Sequence, residues 1–167
     1  MINLKENYKI YIWTIVAALA LSIFLPIVKG ILEGEKGRVQ KFVLQGKRAL
    51  EKQDILACIG MISDDYKDKY ANDKQTLIYL TRETFRYYQE LFIQIDKMDI
   101  KLEQDKLNAS IEIEGIIFGL NKGGQKEFIL EKEQGKLMLK LIKQDKRWQL
   151  LEIKDFKPIT LMGQGII

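Results

Sequence analysis

The spacing of apolar residues divides most of this chain into two regions, one with helical spacing and one in which apolar and polar residues alternate. From residue 38 to about residue 91, apolar side chains recur every three or four positions, which is the spacing of one helix face. This region predicts three helices: Arg38–Gln53, a short one capped by Asp54, and a longer one capped by Asn72-Asp73 that runs to Leu91. Each helix would bury one face and leave its charged side chains in water.

From about Ile93 onward, apolar and polar residues alternate, as they do in strands with one buried face. Turn-forming residues at 103–106, 121–124 and 144–146 separate these strands, and a bulge is expected near Lys97. The inward side chains that can be assigned are aliphatic: Ile111, Ile113, Leu139 and Leu141. Helices first and antiparallel strands second predict an α+β domain, in which three helices pack on one face of a curved, mainly antiparallel sheet.

One segment follows neither period. Ile10 to Val28 is a run of nineteen residues without a charge, long enough as a helix to cross the hydrocarbon core of a bilayer. A cleaved secretory signal is the alternative, but its apolar region would be shorter and would end in a small-x-small cleavage site. We therefore expect an uncleaved transmembrane anchor at residues 10–32, after a tail at 1–9 and before a hinge at 33–37. Membrane lipid would contact residues 10–28.

The flanking charges bear on which side of the membrane the domain lies. More Lys and Arg residues follow the apolar run than precede it, which favours a cytoplasmic domain. A lone N-terminal span with a basic tip is nevertheless the usual layout of a signal anchor, and long domains cross largely regardless of charge. We expect a single-pass protein of a bacterial plasma membrane, with its domain on the extracytoplasmic side.

Small residues form a stripe along the predicted membrane helix. Thr14, Ala18 and Ser22 recur every four positions and would let a second helix approach closely. Small residues are also common in membrane spans without such a contact. The three residues are therefore a candidate helix contact within the membrane.

Composition removes several classes of function. The formal net charge is +4, but Lys and Arg alternate with Asp and Glu, so no basic stripe for nucleic acid is formed. The chain has no histidine, and its single cysteine, Cys58, excludes an intramolecular disulfide and a Cys/His metal cluster. We expect no cofactor, no metal ion and no nucleic-acid partner.

Three stretches carry a resemblance to the NTF2-like (SnoaL-like) superfamily. They are the helix Arg38–Gln53, Ser63-Asp64-Asp65-Tyr66 after the second helix, and the closing stretch Lys143–Leu151. The resemblance implies a cone-shaped domain over residues 38–156, and a homodimer formed through the sheet. It implies no single activity, because the superfamily includes dehydratases, isomerases, epoxide hydrolases and noncatalytic subunits that share these packing and turn features.

A catalytic site in such a cone would need an Asp or His base with Tyr or Asp donors. Because histidine is absent, His-dependent dehydratase chemistry is excluded. The remaining candidates are Asp64, Tyr66, Tyr79, Tyr87 and Asp99. None lies in a motif that gives it a role: Asp64 more simply supports a turn, and Tyr66 more simply packs where helix and sheet meet, with its hydroxyl in water.

These observations favour a membrane-anchored, non-catalytic interaction or accessory domain, a subunit or partner of a membrane-associated protein complex. The alternative is a small-molecule-binding protein, or a weak isomerase- or dehydratase-like enzyme, that uses the cone cavity for an apolar ligand. The last segment, 157–167, is apolar around Ile159-Thr160-Leu161-Met162. We expect it to dock on its own domain or on a neighbouring chain.

Overall fold

The computed structural model describes residues 34–69, 73–130 and 136–154. Within these ranges, three helices precede five strands. They are α1 (Gly34–Glu51), α2 (Ile55–Met61), α3 (Lys74–Tyr87), β1 (Tyr88–Leu102), β2 (Asn108–Asn121), β3 (Lys126–Leu130), β4 (Leu137–Gln144) and β5 (Arg147–Lys154). The predicted α+β order is confirmed.

Two aspartates start the shorter helices as predicted. The Asp54 carboxylate accepts a hydrogen bond from the backbone N–H of Ala57 at 3.0 Å, and Asp73 accepts one from Thr76 at 2.8 Å. These bonds satisfy N–H groups that have no partner inside the helix. Asn72, the other half of the predicted second cap, lies outside the described residues.

Three helix boundaries differ from the prediction. Helix α1 ends at Glu51, two residues before the predicted Gln53. Helix α1 begins at Gly34, so residues 34–37 of the predicted hinge are helical, and Glu35 in the first turn accepts a hydrogen bond from Arg38. Helix α3 ends at Tyr87 rather than Leu91, because Tyr88 turns into an extended conformation and starts β1. The buried Tyr88 ring then packs on Gly119 of β2, where a side chain would leave it no room.

The sheet is antiparallel in every pairing and has the order β1-β2-β4-β5, with β3 also paired to β2. Strand β1 pairs with β2 along its full length, from Tyr88 opposite Asn121 to Leu102 opposite Ala109. The register shifts between Ile95 and Lys97, which confirms the predicted bulge. Such a bulge bends the strand and increases its twist.

The main hydrophobic core lies between α1 and the inner face of the sheet. Val39 and Val43 of the helix pack with Ile111, Ile113 and Leu141 of β2 and β4. The predicted inward positions are thus confirmed, with Leu139 partly buried beside them. A second cluster holds Ile62, Tyr66 and Ile78 together where α2 and α3 meet β5.

The predicted anchor at 10–32, its Thr14, Ala18 and Ser22 contact, and the segment 157–167 lie outside the described residues. In the part of the chain that the structure does describe, no helix combines the length and the apolar character needed to span a membrane.

Candidate functional site

A cavity of about 220 Å³ lies between the three helices and the inner face of the sheet. Helix α1 forms one wall, α2 and α3 form another, and residues from all five strands form the floor. The strand residues that line it are almost all aliphatic, and include Ile93, Ile95, Ile113, Leu139, Leu150 and Ile153. The inward aliphatic positions therefore do not fill the space beneath the helices completely.

Two glycines lie in the lining where a side chain would be obstructed. A Cβ on Gly115 of β2 would stand 2.1 Å from the backbone oxygen of Gln94, beside the bulge in β1. A Cβ on Gly46 of α1 would meet the end of the Met61 side chain at 3.3 Å. Gly115 is thus required by a close backbone approach, whereas Gly46 borders a flexible side chain that can move.

Polar side chains in the described lining are few: Lys47, Cys58, Thr81 and Gln94. Lys47 Nζ donates to Glu51 Oε1 at 2.6 Å, and the same oxygen accepts the backbone N–H of Ile93 at 3.0 Å. Thr81 donates its hydroxyl proton to the carbonyl of Leu77 one turn earlier. No carboxylate, imidazole or phenol lies in the described lining, so the Asp, His and Tyr groups expected of a catalytic cone are not found in it.

Cys58 is buried in this lining. Burial raises the pKa of its thiol, and the nearby negative charge of Asp54 raises it further. A thiol reacts as a nucleophile only when it is ionised. Cys58 therefore acts at neutral pH as a small apolar side chain of the pocket wall.

The five candidate catalytic residues lie outside the described lining. Asp64 is almost fully exposed in a turn, where it pairs with Lys74 Nζ at 2.7 Å. Asp99 is exposed on the outer face of β1, opposite Glu112. Tyr79 is exposed on α3, and Tyr87 donates its hydroxyl to Glu127 at 3.0 Å.

Tyr66 is fully buried in the second hydrophobic cluster, and its hydroxyl donates to the carboxylate of Asp68. Burial raises the pKa of the phenol well above its ordinary value, and the charge of Asp68 acts in the same direction. A phenol held in its neutral form and bonded to a neighbouring carboxylate fixes the segment after α2. This placement confirms the predicted packing role where helix and sheet meet. The prediction that the hydroxyl lies in water is wrong, because the side chain is buried and the hydroxyl bonds Asp68.

Comparison with known proteins gives a structural likeness alone. No family sequence model matches the chain, and no curated protein matches it in sequence. An NTF2-like superfamily protein from Salmonella enterica superposes with a TM-score of 0.60 and 10% identity, over 73% of this chain and 89% of that one. The fold is NTF2-like.

Two further structures with a similar fold carry enzyme names. A candidate dehydratase of the NTF2-like family from Streptomyces avermitilis has a TM-score of 0.62 and 8% identity, over 72% of this chain and 94% of that one. A candidate aromatic ring hydroxylase from Novosphingobium aromaticivorans has a TM-score of 0.63 and 12% identity, over 71% and 85%. At such identities the likeness establishes the NTF2-like fold and no activity.

An aromatic patch on the outer face of the NTF2-like sheet was not anticipated. Phe92, Phe118 and Phe128 are cross-strand neighbours, with ring centroids 4.8 Å and 6.1 Å apart. Lys126 Nζ lies 4.0 Å from the centroid of the Phe118 ring. The sequence did contain a signal, because Phe92 and Phe118 are out of phase with the buried aliphatic positions of their strands.

Elsewhere on the outer face, the described parts of the strands carry ion pairs. Glu114 pairs with Lys136 at 3.3 Å and with Lys97 at 3.7 Å, and Lys136 also pairs with Glu112. Toward β5, Lys140 and Glu152 are 3.0 Å apart. The outer face is therefore divided into a charged part and an aromatic patch made of Phe92, Phe118 and Phe128.

Proposed function

We propose that this chain is a membrane-anchored, non-catalytic accessory subunit whose NTF2-like domain contacts another protein through the aromatic patch. The patch is the observation that carries the proposal. Phe92 and Phe128 are each more than a third exposed, although a cluster of three aromatic rings, of which Phe92 and Phe118 are stacked, is costly to leave in water. A second copy of the chain is the partner we test first, because the resemblance implies a dimer through the sheet.

The test measures the mass of the full chain, purified from its membrane in mild detergent, by light scattering. The wild-type protein should form a dimer or a larger complex, and the double variant Phe92→Ser with Phe128→Ser should be monomeric. Tyr79→Ser removes another exposed aromatic side chain, on α3 and away from the patch, and should leave the mass unchanged. A wild-type monomer that co-purifies with no other protein would overturn the proposal.

The membrane anchor is part of the same proposal. It is supported by the nineteen uncharged residues from Ile10 to Val28, whose length suits a single helical span. The chain should stay with the membrane after extraction with alkaline carbonate. Protease added outside spheroplasts should degrade the domain if it is extracytoplasmic, whereas a cytoplasmic domain should survive until the membrane is permeabilised.

A second candidate function is the binding of a small apolar molecule in the pocket. The observation that favours it is volume: engineered apolar cavities of about 150 Å³ bind benzene, and this cavity measures about 220 Å³. The enzymatic alternative gains no support from the described lining, which has no acid, imidazole or phenol. Filling the pocket with Thr81→Phe should abolish the stabilisation of the full chain by apolar ligands in thermal unfolding.

A further inference from the structure

The apolar pocket has one charged side chain in its described lining, and that side chain is positive. Lys47 of α1 belongs to the pocket lining, and about a quarter of its side chain is exposed. A lysine in such a place packs its methylene stem on apolar surface and keeps its ammonium toward water. No Asp or Glu is present in the described lining. Within the described lining, a ligand with a negatively charged end would therefore find one favourable charge, the Lys47 ammonium.

The position of the Lys47 ammonium is fixed by its neighbour. Glu51 lies one turn later on α1, and its Oε1 accepts from both Lys47 Nζ and the backbone N–H of Ile93. Ile93 itself lines the pocket, so these bonds hold the ammonium beside the pocket wall. An ammonium has three N–H donors, and Glu51 takes one of them. The others can bond a ligand.

The size and polarity of the pocket limit the rest of the ligand. Its volume exceeds that of an apolar cavity that holds benzene, so it suits one aromatic ring with a short chain, or an acyl chain of similar bulk. Polar substituents deep in the pocket would lose their water without gaining partners, which costs free energy. The hydrocarbon part must therefore be almost free of polar atoms.

We infer that the pocket binds small apolar monocarboxylates, with the carboxylate on Lys47 Nζ and the hydrocarbon against the aliphatic lining. This inference rests on the ligand-binding function proposed above. A monoanion fits better than a phosphate dianion, because Glu51 already neutralises part of the Lys47 charge and repels a second negative charge. The carboxylate gains a charge-assisted hydrogen bond, which is stronger than one between neutral groups.

The experiment compares acids with their neutral amides on the full chain in lipid nanodiscs. The probes are 3-phenylpropionate and octanoate, with 3-phenylpropionamide and octanamide as neutral counterparts, titrated by calorimetry. We expect each acid to bind roughly tenfold more tightly than its amide, the difference that one charge-assisted bond supplies. Equal affinities for acid and amide would overturn the inference.

Three variants separate the headgroup contact from the pocket. Lys47→Met should remove the preference for the acid and leave amide binding unchanged. Lys41 lies on the same helix but is exposed and outside the described lining. Lys41→Met should therefore change neither the affinity for the acid nor the affinity for the amide. Glu51→Gln should tighten acid binding several-fold, because the Gln oxygen can still accept the Ile93 N–H while the competing charge is gone.

The outcomes distinguish two failures. Suppose that neither acids nor amides bind the wild-type chain; the ligand-binding function itself is then wrong. Suppose instead that both bind, that Thr81→Phe abolishes both, and that Lys47→Met changes neither; then the pocket binds ligands and the carboxylate contact is wrong. Circular dichroism of each variant shows whether a lost affinity reflects loss of the fold.

Discussion

Gly115 is a residue where the backbone of one strand leaves no space for a side chain on the next. A Cβ there would lie 2.1 Å from the Gln94 carbonyl oxygen, and backbone cannot move aside as a side-chain end can. Gly115→Ala should lower the free energy of unfolding by about 3 kcal/mol, as other overpacked sites do. Urea unfolding of the full chain, followed by circular dichroism, measures this change.

The matched control is Gly60→Ala in α2. An added Cβ at Gly60 has no atom within 4 Å, so the helix preference of alanine should raise the free energy of unfolding by up to about 1 kcal/mol. If Gly115→Ala were as stable as wild type, this result would contradict the close approach of the β1 and β2 backbones at the bulge.

At the scale of elements, one ion-pair group ties the first turn of α1 to the end of β4. Glu35 Oε1 accepts from Lys143 Nζ at 2.9 Å and from Arg38 at 2.8 Å. The hydrogen bond from Lys143 lowers the pKa of Glu35, and the positive charges of Lys143 and Arg38 add to this, while burial opposes it. The carboxylate is therefore more stable in the folded chain than in the unfolded one.

The sign of the pH effect follows from that lowered pKa. The stabilisation is complete above the unfolded pKa of about 4.3 and is lost as the pH falls through the lower folded value. Lys143→Met should reduce the free energy of unfolding at pH 7 by about 1 kcal/mol. In this variant the free energy of unfolding should also decrease less than in the wild type when the pH is lowered from about 5 to about 3. Chemical denaturation across this range measures both, with Lys41→Met as the control. An unchanged pH profile would contradict the role of this pair.

The elements themselves were largely predictable from local patterns. Alternation located the strands, Asp54 and Asp73 capped their helices, and the bulge near Lys97 came from a break in the alternation. The end of α3 was missed because Tyr88 and Leu91 fit both periods. Contact of the Tyr88 ring with Gly119, thirty-one positions later in the sequence, favours the strand. Such a contact between distant residues is not visible in a local pattern.

At the scale of the whole molecule, the pocket was the part that sequence could not determine. Its aliphatic lining was predicted at Ile113 and Leu139, yet the same residues suit a filled core equally well. The difference depends on how far the helices stand from the sheet, and residues from all eight described elements set that distance together.

The predicted docking of the segment 157–167, on its own domain or on a neighbouring chain, can be tested by proteolysis. Strand β5 ends at Lys154, directly after Ile153 in the pocket lining, and the apolar residues Ile159 to Met162 follow within a few positions. If this segment docks, chymotrypsin should cut it at least about tenfold more slowly in the native assembly than in urea-unfolded chain, because a protease needs locally unfolded backbone. Mass spectrometry of timed digests gives the rates.

The double variant Phe92→Ser with Phe128→Ser identifies the surface on which the segment docks. If the segment rests on its own domain, dissociation of the complex leaves it protected, because its contacts are within one chain. If it rests on a neighbour, the monomeric variant loses it as fast as the unfolded chain does. Rapid loss from the wild-type assembly would contradict docking of either kind, since no protected state of the segment would then exist.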